Sequence, residues 1–325
     1  MADTRNRILT LLAPGNIVSG GRLAEACGVS REAVWKHIES LRSRGVSVEA
    51  VRSRGYRIQG GLCLLNRQAI GKHLLKPVTL TLLEEVASTN SWLLRRLGYS
   101  MLAPHVCISE QQSAGRGTKG RAWLSPYGTN VYCSLYWRFE CAPYELEGLS
   151  PAIAIALVNA LGQAGVKGVM IKWPNDLHMA GGKLGGLLVD ISAEANGPCD
   201  VIIGFGLNMG MPDTLRSMID QPVADILDIE GMDSDRNAMA ACVINGLTGG
   251  CEDFAAHGFA YFSQQWEALD LARYRPVRLM IAGRSIVGIA HGVNERGMLR
   301  IRTNNRFEEF ASGEVSMGIE NETVN

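Results

Sequence analysis

Apolar residues recur at helical spacing from Thr4 to Leu12, in a short run from Gly20 to Cys27, and again from Arg31 to Arg44. In the third run Val34, Ile38 and Leu41 share an inward face, which leaves Arg31, Trp35 and Lys36 outward. Gly28 ends the second run, Ser30 supplies a cap for the third and Gly45 stops it. From Val46 to Ile58 the pattern changes to two strands around the basic turn Arg52-Ser53-Arg54-Gly55. Helix, Gly-Val-Ser turn, helix and hairpin predict a winged helix-turn-helix, whose second helix enters the major groove while the wing meets phosphates. Ser30, Arg31, Trp35, Lys36, Arg52 and Arg54 are the candidate DNA contacts. A small helical interaction module with a solvated basic face fits the same pattern.

Gly60-Gly61 reads as a linker. Beyond it, Leu80–Val86 and Val106–Glu110 are strand-like, and Ser88-Thr89-Asn90 caps a helix over Ser91–Leu97. Ser150-Pro151 opens an apolar helix with a capping residue and a first-turn proline, and Val201–Asn208 is a buried strand whose glycines permit close approach by a ligand. Helices are expected over Asp235–Phe254 and Phe259–Trp266. After Arg275-Pro276 come the short strands Val277–Ile281, Ile286–Val293 and Met298–Thr303, a pattern expected to close into a small SH3-type β-barrel. The fold class is therefore α+β in three domains: a winged helix-turn-helix over 1–62, a central mixed-sheet domain over 63–273 and the barrel over 274–325.

Composition narrows the class without selecting a function. The 325 residues are 46% apolar and 20% charged, ordinary values that exclude disorder and fibres. Pro14 and Gly15 cut short the apolar run that follows the N-terminal arginines, and the apolar helix near Pro151–Leu161 is too short to span a bilayer and contains Asn159. A cytoplasmic protein is expected. The eight cysteines include no C-x-x-C pair and the six histidines, His37 and His257 among them, are scattered, so buried thiols are expected rather than a zinc site. Charge is uneven: residues 1–60 hold ten of the 32 Lys/Arg and five of the 32 Asp/Glu, leaving 22 against 27 elsewhere. The basic end agrees with nucleic acid as a partner.

Candidate chemistry begins at Gly115–Trp123, which reads Gly-Arg-Gly-Thr-Lys-Gly-Arg-Ala-Trp. Three glycines allow close backbone approach, and Arg116, Lys119 and Arg121 crowd three cations onto one loop, which is expected to stay mobile until an anion neutralises it. The dinucleotide fingerprint shares this spacing but demands a following helix, whereas strand-like residues follow here. A kinase loop demands H-R-D and D-F-G, and neither occurs. A solvated basic turn accounts for the loop alone as well as an anion site does.

A second stretch shifts that balance. Ile171–Asp176 reads Ile-Lys-Trp-Pro-Asn-Asp, and Lys183–Asp190 reads Lys-Leu-Gly-Gly-Leu-Leu-Val-Asp. These are read as one hairpin, with Asn175-Asp176 ending the first strand and Gly181-Gly182 in the turn, so that Lys183 faces Asp176. Alone, Lys183 is an edge charge and Ser88 an ordinary cap. Together the motifs resemble the biotin protein ligases, or biotin-acetyl-CoA-carboxylase ligases, from about Leu65 onward, and the N-terminal part resembles their bifunctional subclass, which also represses the biotin operon.

That resemblance implies formation of biotinyl-5′-AMP from biotin and ATP with Mg²⁺, then transfer to a lysine of a biotin carboxyl carrier protein. It implies that Lys183 bridges the biotin carboxylate and the α-phosphate, that Arg116 and Gln112 hold the intermediate, and that Arg121 is a third catalytic cation. Ser88, Thr89, Asn90, Gly115, Gly117, Thr118, Lys119, Trp123, Lys172, Asn175, Asp176, Gly186, Gly204, Gly206 and Asn208 complete the implied biotin and adenylate site, with Asp176 also a magnesium ligand, directly or through water. An operator of two half-sites, read by a ligand-promoted homodimer, is implied as well. The chemistry agrees, since joining a carboxylate to a phosphate brings two anions together and then expels pyrophosphate, so cations must balance both steps. The mixed anhydride hydrolyses in water, which a lid loop prevents.

Two departures qualify the match: Thr118 replaces a frequent arginine, and Met218–Leu227 lacks a tryptophan often found near Val223. Faster loss of the adenylate is expected, partly offset by Lys119. A biotin-sensing regulator with a degraded ligase site and a lipoate ligase are the competing readings.

Overall fold

The computed structural model describes residues 2–98, 101–194, 197–232, 235–304 and 306–317; the stretch 318–325, assigned above to the C-terminal domain, lies outside the described residues. Helices α1 (Ala2–Leu12), α2 (Gly20–Cys27) and α3 (Arg31–Arg42) and the hairpin β1 (Val48–Val51), β2 (Gly55–Ile58) enclose Ile8, Leu12, Leu23, Val34, Ile38, Leu41 and Ile58. Ser19 caps α2, Gly28 ends it in the left-handed region at φ 65°, and the Ser30 hydroxyl accepts from Ala33 N–H to start α3. The winged helix is thus present, with α3 two residues shorter than its periodicity suggests.

This head is not free of the rest. Tyr127 enters its apolar cluster, Arg5 pairs with Glu84 at 2.5 Å, Asn6 donates to Glu84 at 2.9 Å and Arg44 reaches Glu85 at 2.8 Å.

The short helix α4 (Arg67–Gly71) leads into a seven-stranded mixed sheet built from β3 (Thr79–Val86), β4 (His105–Gln112), β5 (Val131–Phe139), β6 (Met170–Lys172), β7 (Asp176–Met179), β8 (Gly182–Ala193) and β9 (Cys199–Leu207). Its spatial order is β3-β4-β5-β9-β8-β7-β6, parallel between β3 and β4 and antiparallel elsewhere. Helix α5 (Thr89–Leu94) packs on one face, and α6 (Leu149–Gln163) and α8 (Arg236–His257) bury the other; the short α7 (Asp213–Arg216) follows β9 in the chain, and α9 (Ser263–Leu269) lies beside α6. Side-chain alternation separates the two faces: Cys133 and Leu135 of β5 join the large core, while Tyr136 joins Leu93 of α5 in a second cluster. Ser134 therefore faces α5.

Three expectations change. Asp176 begins a strand rather than ending one, because Pro174 lacks an N–H and interrupts pairing, so β6, β7 and β8 form a meander of two hairpins. Helix α6 starts at Leu149, with Gly148 rather than Ser150 at its cap; a Cβ on Gly148 would lie 2.7 Å from Arg296 O, so a bare backbone is needed there. Finally, β10 (Pro276–Ile281), β11 (Arg284–Val293), β12 (Leu299–Thr303), β13 (Arg306–Phe310) and β14 (Glu314–Met317) form an antiparallel sheet ordered β13-β12-β11-β10-β14. Among the described residues its two edges do not pair, so the sheet is open rather than a closed barrel.

The stretch Pro143–Gln163 has the length and composition to cross a membrane, yet Leu149, Ile153, Leu157 and Leu161 are buried in the core.

Candidate active site

The turn from β3 into α5 places Ser88, Thr89 and Asn90, each about 3% exposed, over the α5 face of the sheet. Gln112, at the end of β4, accepts from Thr89 N–H at 2.9 Å and from the Thr89 hydroxyl at 3.2 Å, and its amide donates to Ser125 at 3.0 Å. Ser134 Oγ lies 2.6 Å from Thr89 Oγ1 and 2.5 Å from Asn90 Oδ1. Asn90 Nδ2 donates to Asp190 Oδ2 at 3.0 Å and to Leu188 O at 3.3 Å, and Asp190 also receives Arg116 Nη2 at 3.3 Å. A polar network thus runs from the sheet floor to the glycine loop.

The loop is itself a small hairpin. Gly117 N–H donates to Arg121 O, Trp123 N–H donates to Gly115 O, and Thr118–Gly120 form a 3-10 turn with Lys119 at φ 57°. Its cations are each neutralised by a carboxylate: Lys119 meets Glu314 at 3.2 Å, Arg121 meets Glu314 at 2.6 Å, and Arg116 meets Asp190. The loop is folded with its charges paired, because β14 brings Glu314 alongside Lys119 and Arg121. Burial pushes the Glu314 carboxyl up, but hydrogen bonding to Lys119 and the charges of Arg121 and Lys119 outweigh that and leave it below its usual range.

Lys183 Nζ is 2.8 Å from Asp176 Oδ1, Lys172 Nζ is 3.7 Å from Asp176 Oδ2, and all three side chains are nearly buried. Burial lowers the Lys183 pKa from its ordinary value, against the opposing pull of Asp176, with Lys172 and Arg121 adding to the lowering. Trp123 lies with its ring centroid 5.5 Å from this ammonium. Asn175 clamps β8 through Leu187, its amide donating to Leu187 O at 2.6 Å, and Asn208 holds the Lys183 carbonyl at 3.0 Å.

The glycines of the sheet serve protein side chains first. A Cβ on Gly204 would sit 2.1 Å from Asn90 Oδ1, on Gly206 2.4 Å from the Trp123 ring, and on Gly115 2.4 Å from Trp123 O. On Gly186 it would meet Lys183 Cε at 3.2 Å. Close approach is needed, but by Asn90 and Trp123.

Ser88, Thr89, Asn90, Gln112, Arg116, Gly117, Thr118, Trp123, Asn175, Asp176, Lys183, Gly186, Gly204 and Gly206 line one pocket. Its free space is about 40 Å³, room for a few waters. Behind Trp123 opens a cleft of about 650 Å³, lined by Lys183, Asn208, Met211, Met218 and Val223. Lys119 and Lys172 line neither. Reading the sequence misses Ser134, Asp190 and Glu314. The first two carry a signal, a lone serine in an apolar strand and an acid closing an apolar run; Glu314 carries none.

In the head, Arg31, Trp35 and Lys36 are exposed along α3, although Lys36 pairs with Glu32 and the Ser30 side chain is engaged as a cap. Arg52 and Arg54 sit exposed on the β1–β2 turn, about Ser53 at φ 59°.

Comparison with known proteins agrees with this layout. Family models match residues 82–208 (Biotin/lipoate A/B protein ligase family), 4–57 (HTH domain) and 275–318 (Biotin protein ligase C terminal domain). The bifunctional ligase/repressor BirA of Escherichia coli is 37% identical over 96% of each chain, and that of Bacillus subtilis 29% identical over 94% of this chain and 95% of the relative. The structure titled biotin protein ligase from Aquifex aeolicus in complex with biotin and ATP superposes with a TM-score of 0.62 at 26% identity, over 74% of this chain and 98% of that one. With its three matched segments in this order and near full-length similarity to the E. coli protein, the chain belongs to the biotin protein ligase family, in its bifunctional ligase/repressor branch.

Proposed function

We propose that the pocket binds biotin, that the cleft behind Trp123 takes the adenosine of ATP, and that Lys183 stands where the two meet. The observation that carries this reading is the position of Lys183: it is the one catalytic candidate lining both spaces, held by Asp176 at 2.8 Å. Thr89 and Gln112 offer hydrogen-bonding groups to a ureido ring, and Arg116 lines the same pocket. A carboxylate oxygen of biotin attacks the α-phosphorus, the bond to the β-phosphate oxygen breaks, and pyrophosphate leaves; Lys183 and Arg116 balance the crowded charge. The amine of a carrier lysine then attacks the acyl carbon, loses a proton and expels AMP. Because the pocket holds only about 40 Å³, its lining must rearrange to admit biotin. Gly115, Gly117 and Thr118 shape the lid, and Arg121, which lines the cleft, exchanges Glu314 for phosphate oxygens when ATP enters.

Magnesium does not fit Asp176 as a resident ion. Both carboxylate oxygens face ammonium groups, and no cluster of three potential ligands occurs among the described residues. The metal belongs to the MgATP substrate.

The winged helix serves operator DNA, with Arg31, Trp35 and Lys36 in the groove and Arg52 and Arg54 on phosphates. Among the described residues the outer edge of β8 has no strand partner beyond Leu187, and Ile191 is 49% exposed, which suits edge-to-edge pairing in a homodimer. Carrier and operator both place the protein in the cytoplasm. The test is biotin-dependent pyrophosphate release followed by label transfer to a carrier domain. Lys183→Ala should abolish both; a native rate in that variant refutes the assignment. Biotin binding without turnover in the native protein indicates a sensor, and preference for lipoate indicates the sister activity.

A further inference from the structure

The wall of the cleft between Met211 and Val223 is held by a charge cluster that the chemistry above does not use. The Asp225 side chain is fully buried, and Arg216, at the end of α7, pairs with it. From the same guanidinium, Nη2 also reaches Asp228 at 2.9 Å and Nε donates to Met211 O at 3.2 Å. Asp225 accepts from Met211 N–H at 3.3 Å, and its own N–H donates to Asp228 at 3.0 Å. One arginine thus fastens the middle of the segment to both of its ends, which suits a planar fork of five donors.

The far end of the segment then touches the reacting centre. Lys183 N–H donates to Pro222 O at 2.8 Å, and Ala224 N–H donates to Lys183 O at 3.0 Å. This pairing puts Val223 beside Lys183 as an isolated parallel bridge. No aromatic side chain from the segment covers the cleft; Met211, Met218, Ile219 and Val223 do so. Thioether and aliphatic side chains adapt to a flat base but hold it weakly unless their backbone is fixed.

We infer that Arg216 and Asp225 are positioning residues for the adenylate-forming half-reaction, clasping 211–223 as a ready-made wall and fixing Lys183 through Pro222–Ala224. The inference rests on the cleft being the nucleotide side of the site. A buried carboxylate left without its cation destabilises whatever surrounds it, so loss of Arg216 should open this segment before any other. Neither residue touches substrate.

The test uses the full-length protein and two variants, Arg216→Met, which keeps the bulk, and Arg216→Met/Asp225→Asn, which also removes the buried charge. Amide exchange over 212–224, read without ligand, should rise about tenfold or more in Arg216→Met. The KM for ATP and the release rate of biotinyl-5′-AMP should rise by a similar factor, while biotin affinity in the absence of ATP changes less than about twofold. Arg216→Lys should recover part of the retention. The double variant should regain thermal stability without regaining adenylate retention. If it regains both, the pair serves stability alone and the inference is wrong. Native exchange over 212–224 in both variants overturns it too, and this readout stands even if no ligase activity is found, because it needs neither ATP nor biotin.

Discussion

Replacing Gly204 by alanine tests whether the polar floor of the pocket is built as described. The added Cβ would lie 2.1 Å from Asn90 Oδ1, 2.8 Å from Cγ and 3.1 Å from Nδ2, so Asn90 must move. Moving it breaks its contacts with Ser134, Asp190 and Leu188 O and leaves a fully buried hydroxyl short of a partner. Each hydrogen bond lost this way costs about 0.5–1.5 kcal/mol, and overpacking a sheet centre adds about 1–3 kcal/mol. A total near 3 kcal/mol corresponds to a fall in Tm of roughly 6–12 °C for a domain of this size. Biotin affinity should fall at least about tenfold, since Thr89 shares the Ser134 hydroxyl. Differential scanning calorimetry and isothermal titration with biotin measure both. In an Asn90→Ala background the same glycine change should cost less than about 1 kcal/mol, because the clash is gone. A Gly204→Ala protein with native Tm and biotin affinity, or an equal cost in both backgrounds, would falsify the account.

Three further outcomes are expected. Glu314→Gln removes the carboxylate from Lys119 and Arg121; half-exposed pairs are worth about 0.2–1 kcal/mol each, so amide exchange over 115–121 without ligand should rise roughly twofold or more while adenylate release, with that carboxylate already exchanged, does not speed up; unchanged exchange counts against the latch. Burial, aided by Lys172 and Lys183, lowers the His178 pKa to about 4, so its folded form stays neutral. The stability it protects is complete above pH 6.5 and drains away as pH falls towards 4, so His178→Gln should flatten that acid limb of a Tm–pH curve. Arg52→Ala/Arg54→Ala should weaken operator binding, reduce the slope of log K against log salt by about 2, and leave pyrophosphate release unchanged; an unaltered slope removes the wing from the interface.

Legibility from the chain alone followed the range of the forces involved. Helix α2 was readable to the residue, since Gly28 and the spacing of Leu23 and Ala24 act within one turn. Lys183 facing Asp176 was readable too, although the hairpin around it was not, because Pro174 ends pairing one strand early. The start of α6 depends on Gly148 passing Phe259 and Arg296, more than a hundred residues away. Glu314 is a similar case: 193 residues separate it from Arg121, and nothing local distinguishes it from any exposed acid. Asp190 lay between these extremes, visible as a charge ending an apolar run but not as the acceptor joining Asn90 to Arg116.

The pairing of every loop cation with a carboxylate changes how anion binding must be costed. Arg116, Lys119 and Arg121 are each 42–53% exposed and their partners 28–34%, so these pairs contribute little and are easily exchanged for phosphate oxygens. Lys183 and Asp176 are each 13% exposed, and breaking that pair would strand a charge away from water. On the proposed function the two sets should behave differently when ligand arrives: the loop is expected to trade carboxylates for phosphates, whereas Lys183 should keep Asp176 and add the ligand as a further partner. Since Glu314 belongs to the C-terminal sheet and Asp190 to β8, such a trade would free Glu314 and leave Asp190 with Asn90 still donating to it. Asp190 lies on the strand whose outer edge is unpaired beyond Leu187 among the described residues, so filling the site as proposed should alter the charge along that edge.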